Sequence, residues 1–187
     1  MAELRQIEPD LSDRRLYLRP WQAGDAAQLH AAASESVASV GRWLPWCHAG
    51  YQLNEARDWI AHCSLGWQAG SYFALPVFER GSDLLLGAVG INQIDRTHRR
   101  ANLGYWVRQS RQREGIAAAA VAMAARFGFD SLELVRIEIL AMPDNLASRR
   151  TAEQVGARFE GIARQRLWHD GTACDAAIYG LTRSDLG

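Results

Sequence analysis

Residues Gln112-Arg113-Glu114-Gly115-Ile116-Ala117 are the stretch of sequence on which the prediction of the fold depends. They stand between a strand-like run at 101–107 and an alanine-rich helix that we predict to end near Phe129. Gly115 has no side chain, so a ligand can approach the backbone closely. The first amides of a helix have no partner within the helix, and with the helix dipole they favour a pyrophosphate. Short glycine motifs also recur by chance, so this stretch alone is equally compatible with an ordinary helix start.

Three arginines flank this stretch, and one carboxylate opposes them. Arg108, Arg111 and Arg113 can add positive charge near a bound diphosphate. Glu114 would repel the same ligand, so we expect its side chain to point away. The alternative is a solvated arginine cluster that binds nothing.

Apolar patterns on either side of the stretch predict one mixed α/β domain over residues 1–187. We expect Asp25 and Asn54 to cap the first two helices. The patterns predict strands at 16–20, 72–79, 84–94, 101–107, 136–141, 158–168 and 173–181, and helices at 24–34, 54–68, 116–129 and 145–155.

Composition excludes several classes of protein. Acidic and basic residues balance at 21 each, whereas a nucleic-acid binder usually has a basic excess, so we predict no nucleic-acid partner. The chain contains no lysine, which excludes Schiff-base chemistry and a Walker-type phosphate loop. It also lacks a membrane-spanning apolar run, and Met1 to Asp10 is too charged for a signal peptide. We therefore expect a cytoplasmic protein with no membrane partner.

The cysteines and histidines do not indicate a metal site. Cys47, Cys63 and Cys174 show no Cys-x-x-Cys spacing, and none of the five histidines pairs with a cysteine or glutamate at ligand spacing. We therefore predict that the protein binds no metal.

The stretch at 112–117 resembles the acetyl-CoA motif of the GNAT acetyltransferase superfamily, Gln/Arg-x-x-Gly-x-Gly/Ala. The resemblance extends over most of the chain and is greatest to the RimJ/RimL branch, the N-terminal acetyltransferases of ribosomal proteins. The pieces that carry it are Leu16-x-Leu18-Arg19-Pro20, Trp43-Leu44-Pro45-Trp46, Gly104-Tyr105-Trp106-Val107, Asn145-x-x-Ser148, Gly156-Ala157-Arg158-Phe159-Glu160-Gly161, Asp175 and Tyr179.

This resemblance implies an α/β (α+β) fold with a mixed, mostly antiparallel sheet. Six to seven strands are expected, with splayed central strands and about four flanking helices. The pantetheine arm of acetyl-CoA would lie between Gly104–Val107 and the strand at 136–141, and the diphosphate would lie on the amides of residues 113–118. The implied cofactor-binding residues are Trp106, Val107, Gln112, Arg113, Glu114, Gly115, Ile116, Ala117, Ala118 and Asn145.

The resemblance also implies a proton donor, Ser148, near the coenzyme sulfur. An alternative is that Asn145 caps a helix whose first turn contains Ser148, and both roles can hold together. The glutamates that related enzymes use as a base are replaced here by Asn102 and Leu167. The candidates that remain for the base are Glu138, His169, Asp170 and Asp175.

The acceptor is expected to be a primary amine that contacts Trp43, Trp46 and Asn102. Both tryptophans are equally compatible with a role in the core. Because an α-amino group has a pKa of about 7.7–8.0, against about 10.4 for lysine, a site without an obvious base favours a protein or peptide N-terminus. A small-molecule amine (an antibiotic, a polyamine or an amino-acid derivative) and a non-catalytic acyl-CoA-binding module remain open, as do a monomer and a homodimer.

Overall fold

The computed structural model describes residues 11–186, and within them an eight-stranded sheet is flanked by four α-helices. The strands are β1 (Leu11–Ser12), β2 (Leu16–Leu18), β3 (Phe73–Glu79), β4 (Leu85–Asp95), β5 (Arg100–Val107), β6 (Arg136–Ala141), β7 (Arg158–His169) and β8 (Thr172–Leu181). The helices are α1 (Ala26–Glu35), α2 (Leu53–Ala69), α3 (Ile116–Asp130) and α4 (Leu146–Gln154).

The strands lie in the order β1-β2-β3-β4-β5-β6-β8-β7. Neighbouring strands are antiparallel except β5 and β6, which are parallel. A parallel pair needs a long crossover connection, and here α3 supplies it. The sheet is therefore mixed and mostly antiparallel, as the sequence predicts.

Both faces of the sheet are covered, which explains why β3 is buried along almost its whole length. Phe73, Leu75 and Val77 pack in one hydrophobic cluster with residues of α3, whereas Ala74 and Phe78 pack in a second cluster with residues of α1 and α2. Because side chains alternate across a strand, one apolar run can contribute to both clusters.

The parallel pair β5 and β6 separates after three residue pairs. Arg100, Ala101 and Asn102 pair with Arg136, Ile137 and Glu138, and the pairing stops there. Beyond this point β6 continues in register with β8, and β5 continues with β4 as far as Val107. The second half of β5 therefore has an edge that faces a gap in the sheet.

Most predicted elements are confirmed, and the differences lie at the ends of elements. The sheet contains one strand more than expected, because Leu11–Ser12 pairs with β2. Asp25 precedes α1 but does not cap it, because its carboxylate accepts two hydrogen bonds of 2.7 Å from Arg19 and one from the N–H of Gln22. Asn54 is also wrong as a cap, because α2 begins at Leu53.

Two sequence predictions about targeting can be compared with the structure only in part. The prediction about a signal peptide at Met1 to Asp10 lies outside the described residues. Across residues 11–186, every helix falls short of the length and apolar character needed to cross a bilayer.

Candidate active site

The N-terminus of α3 presents a run of unpaired amides. Gly115 precedes the helix with a left-handed backbone, φ 75° and ψ 4°, and a Cβ built at this position would meet no atom within 4 Å. Within residues 11–186, no acceptor takes a hydrogen bond from the main-chain N–H of residues 113–118. The first N–H of this region with a main-chain acceptor is that of Ala119, which donates to Gly115 at 3.1 Å. This turn therefore suits an anionic group.

Ion pairs hold the same loop through Glu114 and Arg111. The Glu114 carboxylate accepts hydrogen bonds from Arg111 at 3.0 Å and from Arg15 at 3.2 Å, and Arg15 also donates to the Glu114 carbonyl. Arg111 also donates to Glu79 at 2.5 Å. Hydrogen bonds to Glu79, from Arg111 first and then from Ser82, lower its pKa to about 2. The Glu114 side chain is thus held in ion pairs with Arg15 and Arg111, as expected for a carboxylate directed away from the free amides.

A second ion-pair network fixes the strand end before this loop. Arg108 donates to the Glu35 carboxylate at 2.5 and 2.8 Å, and the hydroxyl of Ser110 donates to the same carboxylate at 2.7 Å. These contacts, with the Arg108 hydrogen bonds the strongest, lower the pKa of Glu35 to about 2. The positive charge expected from Arg108 and Arg111 is thus shared with glutamate partners, and Arg111 still borders the cavity at the free amides. Arg113 differs, because no ion-pair partner for it lies within the described chain.

A cavity of about 850 Å³ extends from these amides along the gap between β5 and β6 to α4, and we call it the donor cavity. Glu114 is absent from its wall, and the Gln112 amide, which lines it, donates to the Val107 carbonyl at 3.1 Å. The other predicted cofactor-binding residues also line it: Trp106, Val107, Arg113, Gly115, Ile116, Ala117, Ala118 and Asn145.

Ser148 lies on the wall of the donor cavity in the first turn of α4. The Asn145 side-chain oxygen accepts a hydrogen bond from the Ser148 N–H at 3.1 Å, so the predicted helix cap is confirmed. The Tyr105 hydroxyl lies 3.1 Å from the Ser148 Oγ and donates to the Ser148 carbonyl at 2.8 Å. Burial raises the pKa of Tyr105 to about 12, so the phenol keeps its proton at neutral pH.

A second cavity, of about 620 Å³, lies beside the first, and we call it the acceptor cavity. The two cavities share Leu44 and the run Gly104-Tyr105-Trp106, so the second half of β5 and one loop residue separate them. Trp46 lines this second cavity, and its ring lies edge-on to Trp106 with centroids 5.3 Å apart. Trp43 instead lines the donor cavity, where Arg42 lies over its ring.

Residues 15–158 match the sequence pattern of the family described as Acetyltransferase (GNAT) domain, which is more than half of the chain. The chain belongs to the GNAT acetyltransferase family. The Ribosomal-protein-serine acetyltransferase of Escherichia coli (strain K12) is 30% identical over 169 residues, which cover 84% of this chain and 93% of that protein. The Uncharacterized N-acetyltransferase YoaA of Bacillus subtilis (strain 168) is 32% identical over 105 residues, or 56% of this chain and 59% of that protein.

Among solved structures, that of Mycobacterium smegmatis RimJ in complex with CoA-disulfide has a TM-score of 0.84. The two chains are 26% identical, and the match covers 91% of this chain and 83% of that one. The predicted fold and the predicted RimJ/RimL type are therefore confirmed, and the chain is an N-acetyltransferase by family.

The residues that the sequence suggested as the base of this GNAT protein do not line the acceptor cavity. Glu138 lies outside both cavities and pairs with Arg136 at 3.1 Å and with Arg100 at 3.6 Å. Asp175 accepts a hydrogen bond from the N–H of Gln165. His169 lines the donor cavity, and its Nε2 lies 3.4 Å from Asp170.

Glu55 and Asp58, both on α2, line the acceptor cavity and were missed by sequence reasoning. The Glu55 carboxylate contacts His48 at 3.2 Å and the N–H of Gln52 at 2.8 Å, whereas Asp58 has no such partner within residues 11–186. The signal that could have found them is their spacing: residues 55, 58, 59 and 62 share one face of the helix.

Asn102 is not brought to either cavity wall. Its side-chain amide donates to Asn92 at 3.0 Å across the β4–β5 ladder, and Asn92 lines the acceptor cavity instead. Leu167, at the other position where related enzymes carry glutamate, lines the donor cavity. Within residues 11–186, no group of three or more His, Cys, Asp and Glu side chains is arranged to hold a metal ion.

Proposed function

We propose that this chain transfers the acetyl group of acetyl-CoA to the α-amino group at the N-terminus of a protein or peptide. The observation that carries the proposal is the shared wall of the two cavities at Gly104-Tyr105-Trp106, with Ser148 on the donor side. Two substrates that occupy these cavities meet at one short piece of strand. Such proximity supplies much of the rate of a two-substrate reaction.

The donor cavity suits a coenzyme A thioester for two reasons. Its diphosphate can receive hydrogen bonds from the amides of residues 113–118, which have no acceptor in the described chain, and Gly115 leaves the approach to them open. The free edge of β5 beyond Asn102 can pair with an extended amide-containing arm in the way that an added strand would. The relative that binds a coenzyme A disulfide, RimJ of Mycobacterium smegmatis, shares this fold.

The transfer requires one proton to leave nitrogen and one to reach sulfur. The amine nitrogen bonds to the acetyl carbon as the carbon–sulfur bond breaks, so the sulfur leaves as a thiolate. We assign the proton for that thiolate to the Ser148 hydroxyl, and the proton released by the attacking nitrogen restores that hydroxyl, directly or through water. Tyr105 acts as a positioning residue, because its hydroxyl contacts both the carbonyl and the Oγ of Ser148. Ser148 is a weak acid, so its contribution depends on placement.

An α-amino acceptor fits a site with no carboxylate at the positions of Asn102 and Leu167. About a tenth of such amines are neutral at pH 7, whereas a lysine amine is almost entirely protonated. The difference of about 2.5 pKa units corresponds to about 3.4 kcal/mol. The ribosomal-protein-serine acetyltransferase named above supports a protein acceptor, since its name states that substrate.

A small-molecule amine is the second candidate acceptor. The acceptor cavity has a volume of about 620 Å³, within the range of about 300–1,000 Å³ that is usual for small-molecule sites, and its wall is mostly apolar and aromatic. We further infer that residues 1–187 form a single N-acetyltransferase domain and that the donor is a co-substrate needing no metal.

The test is an acceptor screen in which release of free coenzyme A is measured for wild type and for Ser148→Ala. Peptides with a free N-terminus, peptides whose amine is a lysine side chain and small amines are compared between pH 6 and 9. We expect N-terminal amines to react at neutral pH and Ser148→Ala to lose turnover while it still binds acetyl-CoA. Efficient turnover of lysine peptides at pH 7 would contradict the choice of acceptor, and unchanged turnover by Ser148→Ala would remove the assigned donor.

A further inference from the structure

The acceptor cavity is unusually rich in aromatic side chains. Two groups of rings contribute to its wall. In the first group the ring of Trp46 lies edge-on to Tyr51 at 5.8 Å and to Trp106 at 5.3 Å. In the second, Trp59 stacks on His62 at 5.6 Å and lies edge-on to Tyr72 at 5.7 Å. The seven aromatic residues of the wall, apart from His62, are Trp21, Trp46, Tyr51, Trp59, Tyr72, Tyr105 and Trp106.

Two of these rings are much more exposed to solvent than the buried rings beside them. Trp46 and Trp59 are 37% and 38% exposed, whereas Trp21 and Tyr51 are at most 7% exposed. Exposed aromatic area is unfavourable in water, and it becomes favourable when a ligand covers it. Because each ring is packed against others, little conformational freedom is left for a ligand to remove on binding. The cavity is thus prepared for an apolar group.

The charge of the wall has one sign. Glu55 and Asp58 contribute carboxylates, and no arginine of the described chain lines this cavity. Asp58 is free of ion pairs within residues 11–186, so its charge is available to a ligand. A carboxylate on the acceptor would be repelled here, whereas a protonated amine would be attracted before it reacts.

The cavity also has a defined relation to the reacting atoms. Gly104 and Tyr105 form part of its wall and of the wall of the donor cavity, and Tyr105 contacts Ser148. A Cβ built on Gly104 would meet nothing within 4 Å, so the strand offers open space at this point. An acceptor whose amine lies at Gly104 would therefore place its neighbouring substituent among the aromatic rings.

We propose that the acceptor carries a bulky apolar group, preferentially an aromatic ring, next to its reacting amine, and that acidic groups at that position are excluded. The inference rests on the proposed function, because it assumes that the amine is acetylated at this site. The proposed function concerns the kind of amine that reacts, whereas this inference concerns the group attached next to that amine. For a peptide, the substituent is the side chain of the first residue.

The experiment measures kcat/KM for peptides that differ in their first residue alone. Phenylalanine is compared with alanine and serine, and glutamate is compared with glutamine as a pair of similar shape. We expect the phenylalanine peptide to exceed the alanine peptide at least about tenfold, since even one methylene in a fitted pocket gives 10- to 200-fold discrimination. We expect glutamine to exceed glutamate. Equal or better turnover of the alanine and serine peptides would overturn the inference and leave the proposed function intact.

A matched pair of variants on α2 tests the cavity itself. Trp59→Ala removes one ring of the wall, whereas Leu65→Ala removes a side chain on the same helix that is 66% exposed and lies outside both cavities. We expect Trp59→Ala to bring the ratio of phenylalanine to alanine turnover close to one, and Leu65→Ala to leave the ratio unchanged. Thermal melting of both variants checks that they fold. A folded Trp59→Ala variant with an unchanged ratio would contradict the inference.

A second set of acceptors separates this inference from the peptide assignment. If no peptide reacts, the proposed peptide acceptor is wrong, and 2-phenylethylamine is compared with propylamine in the same assay. A preference of at least about tenfold for the aromatic amine supports the inference on its own. No preference, or no turnover of either amine, overturns it.

Discussion

Replacing Gly115 with alanine, with Gly81→Ala as the matched control, separates the backbone demands of the fold from the demands of the donor cavity. Both glycines have left-handed backbones, with φ of 75° and 87°, and a Cβ built on either meets no atom within 4 Å. The expected cost is therefore that of a left-handed backbone alone, about 1–2 kcal/mol for an L-residue. For a chain of this length, that corresponds to a fall in Tm of about 2–8 °C in both variants.

The two variants should differ in their affinity for coenzyme A, which only Gly115→Ala should weaken. Gly115 lines the donor cavity beside the free amides, whereas Gly81 lies in the turn between β3 and β4 and outside both cavities. A methyl group at residue 115 would hold the diphosphate away from those amides. The loss of one charge-assisted hydrogen bond is worth about 1.5–3 kcal/mol, which weakens binding about ten- to a hundredfold.

The measurement is titration calorimetry with coenzyme A, alongside thermal melts of wild type and both variants. We expect similar falls in Tm and a rise in Kd confined to Gly115→Ala. An unchanged Kd for Gly115→Ala, or an equal rise for Gly81→Ala, would refute the assignment of these amides to the diphosphate.

Three further predictions follow from the contacts of single side chains. Tyr105→Phe should lower kcat about tenfold and leave the KM for acetyl-CoA unchanged, because the hydroxyl contacts with the Ser148 carbonyl and Oγ are lost; steady-state kinetics with varied acetyl-CoA measures both. The Glu35 pKa is lowered from 4.5 to about 2, so the stability from its pairing with Arg108 is present above pH 4.5 and lost as the pH falls towards 2. Urea unfolding of wild type and Glu35→Gln should therefore show a stability difference that is largest at neutral pH and shrinks below pH 4.5. Asp58→Asn should raise the KM for protonated amine acceptors and narrow the gap between peptides that begin with glutamate and glutamine.

Much of the fold could be predicted from local sequence patterns. The strand predicted at 136–141 is observed with the same bounds, and the helix predicted from the Gly115 region extends over α3. These segments carry a strong alternation or a long alanine-rich run, and such patterns depend on neighbouring residues alone. The free amides before α3 follow from the same local chemistry.

The electrostatics of the site could not be predicted in this way. The sequence indicates positive charge at Arg108 and Arg111, but it does not show that each pairs with a glutamate from a distant segment, 73 and 32 residues away. The sequence alone predicts Asp58 as a solvated helix residue. The structure instead places Asp58 on the same cavity wall as the second half of β5. Partners of this kind are decided by tertiary packing, which composition and periodicity do not contain.

At the gap between β5 and β6, selection for stability and selection for ligand binding favour different structures. Beyond Asn102 and Glu138, each additional pair across these strands would gain ladder hydrogen bonds and make the chain harder to melt. The same pairs would close the gap along which the donor cavity lies. Variants selected for heat resistance alone are therefore expected to lose the space of the donor cavity, because stability and ligand binding favour opposite structures at this gap.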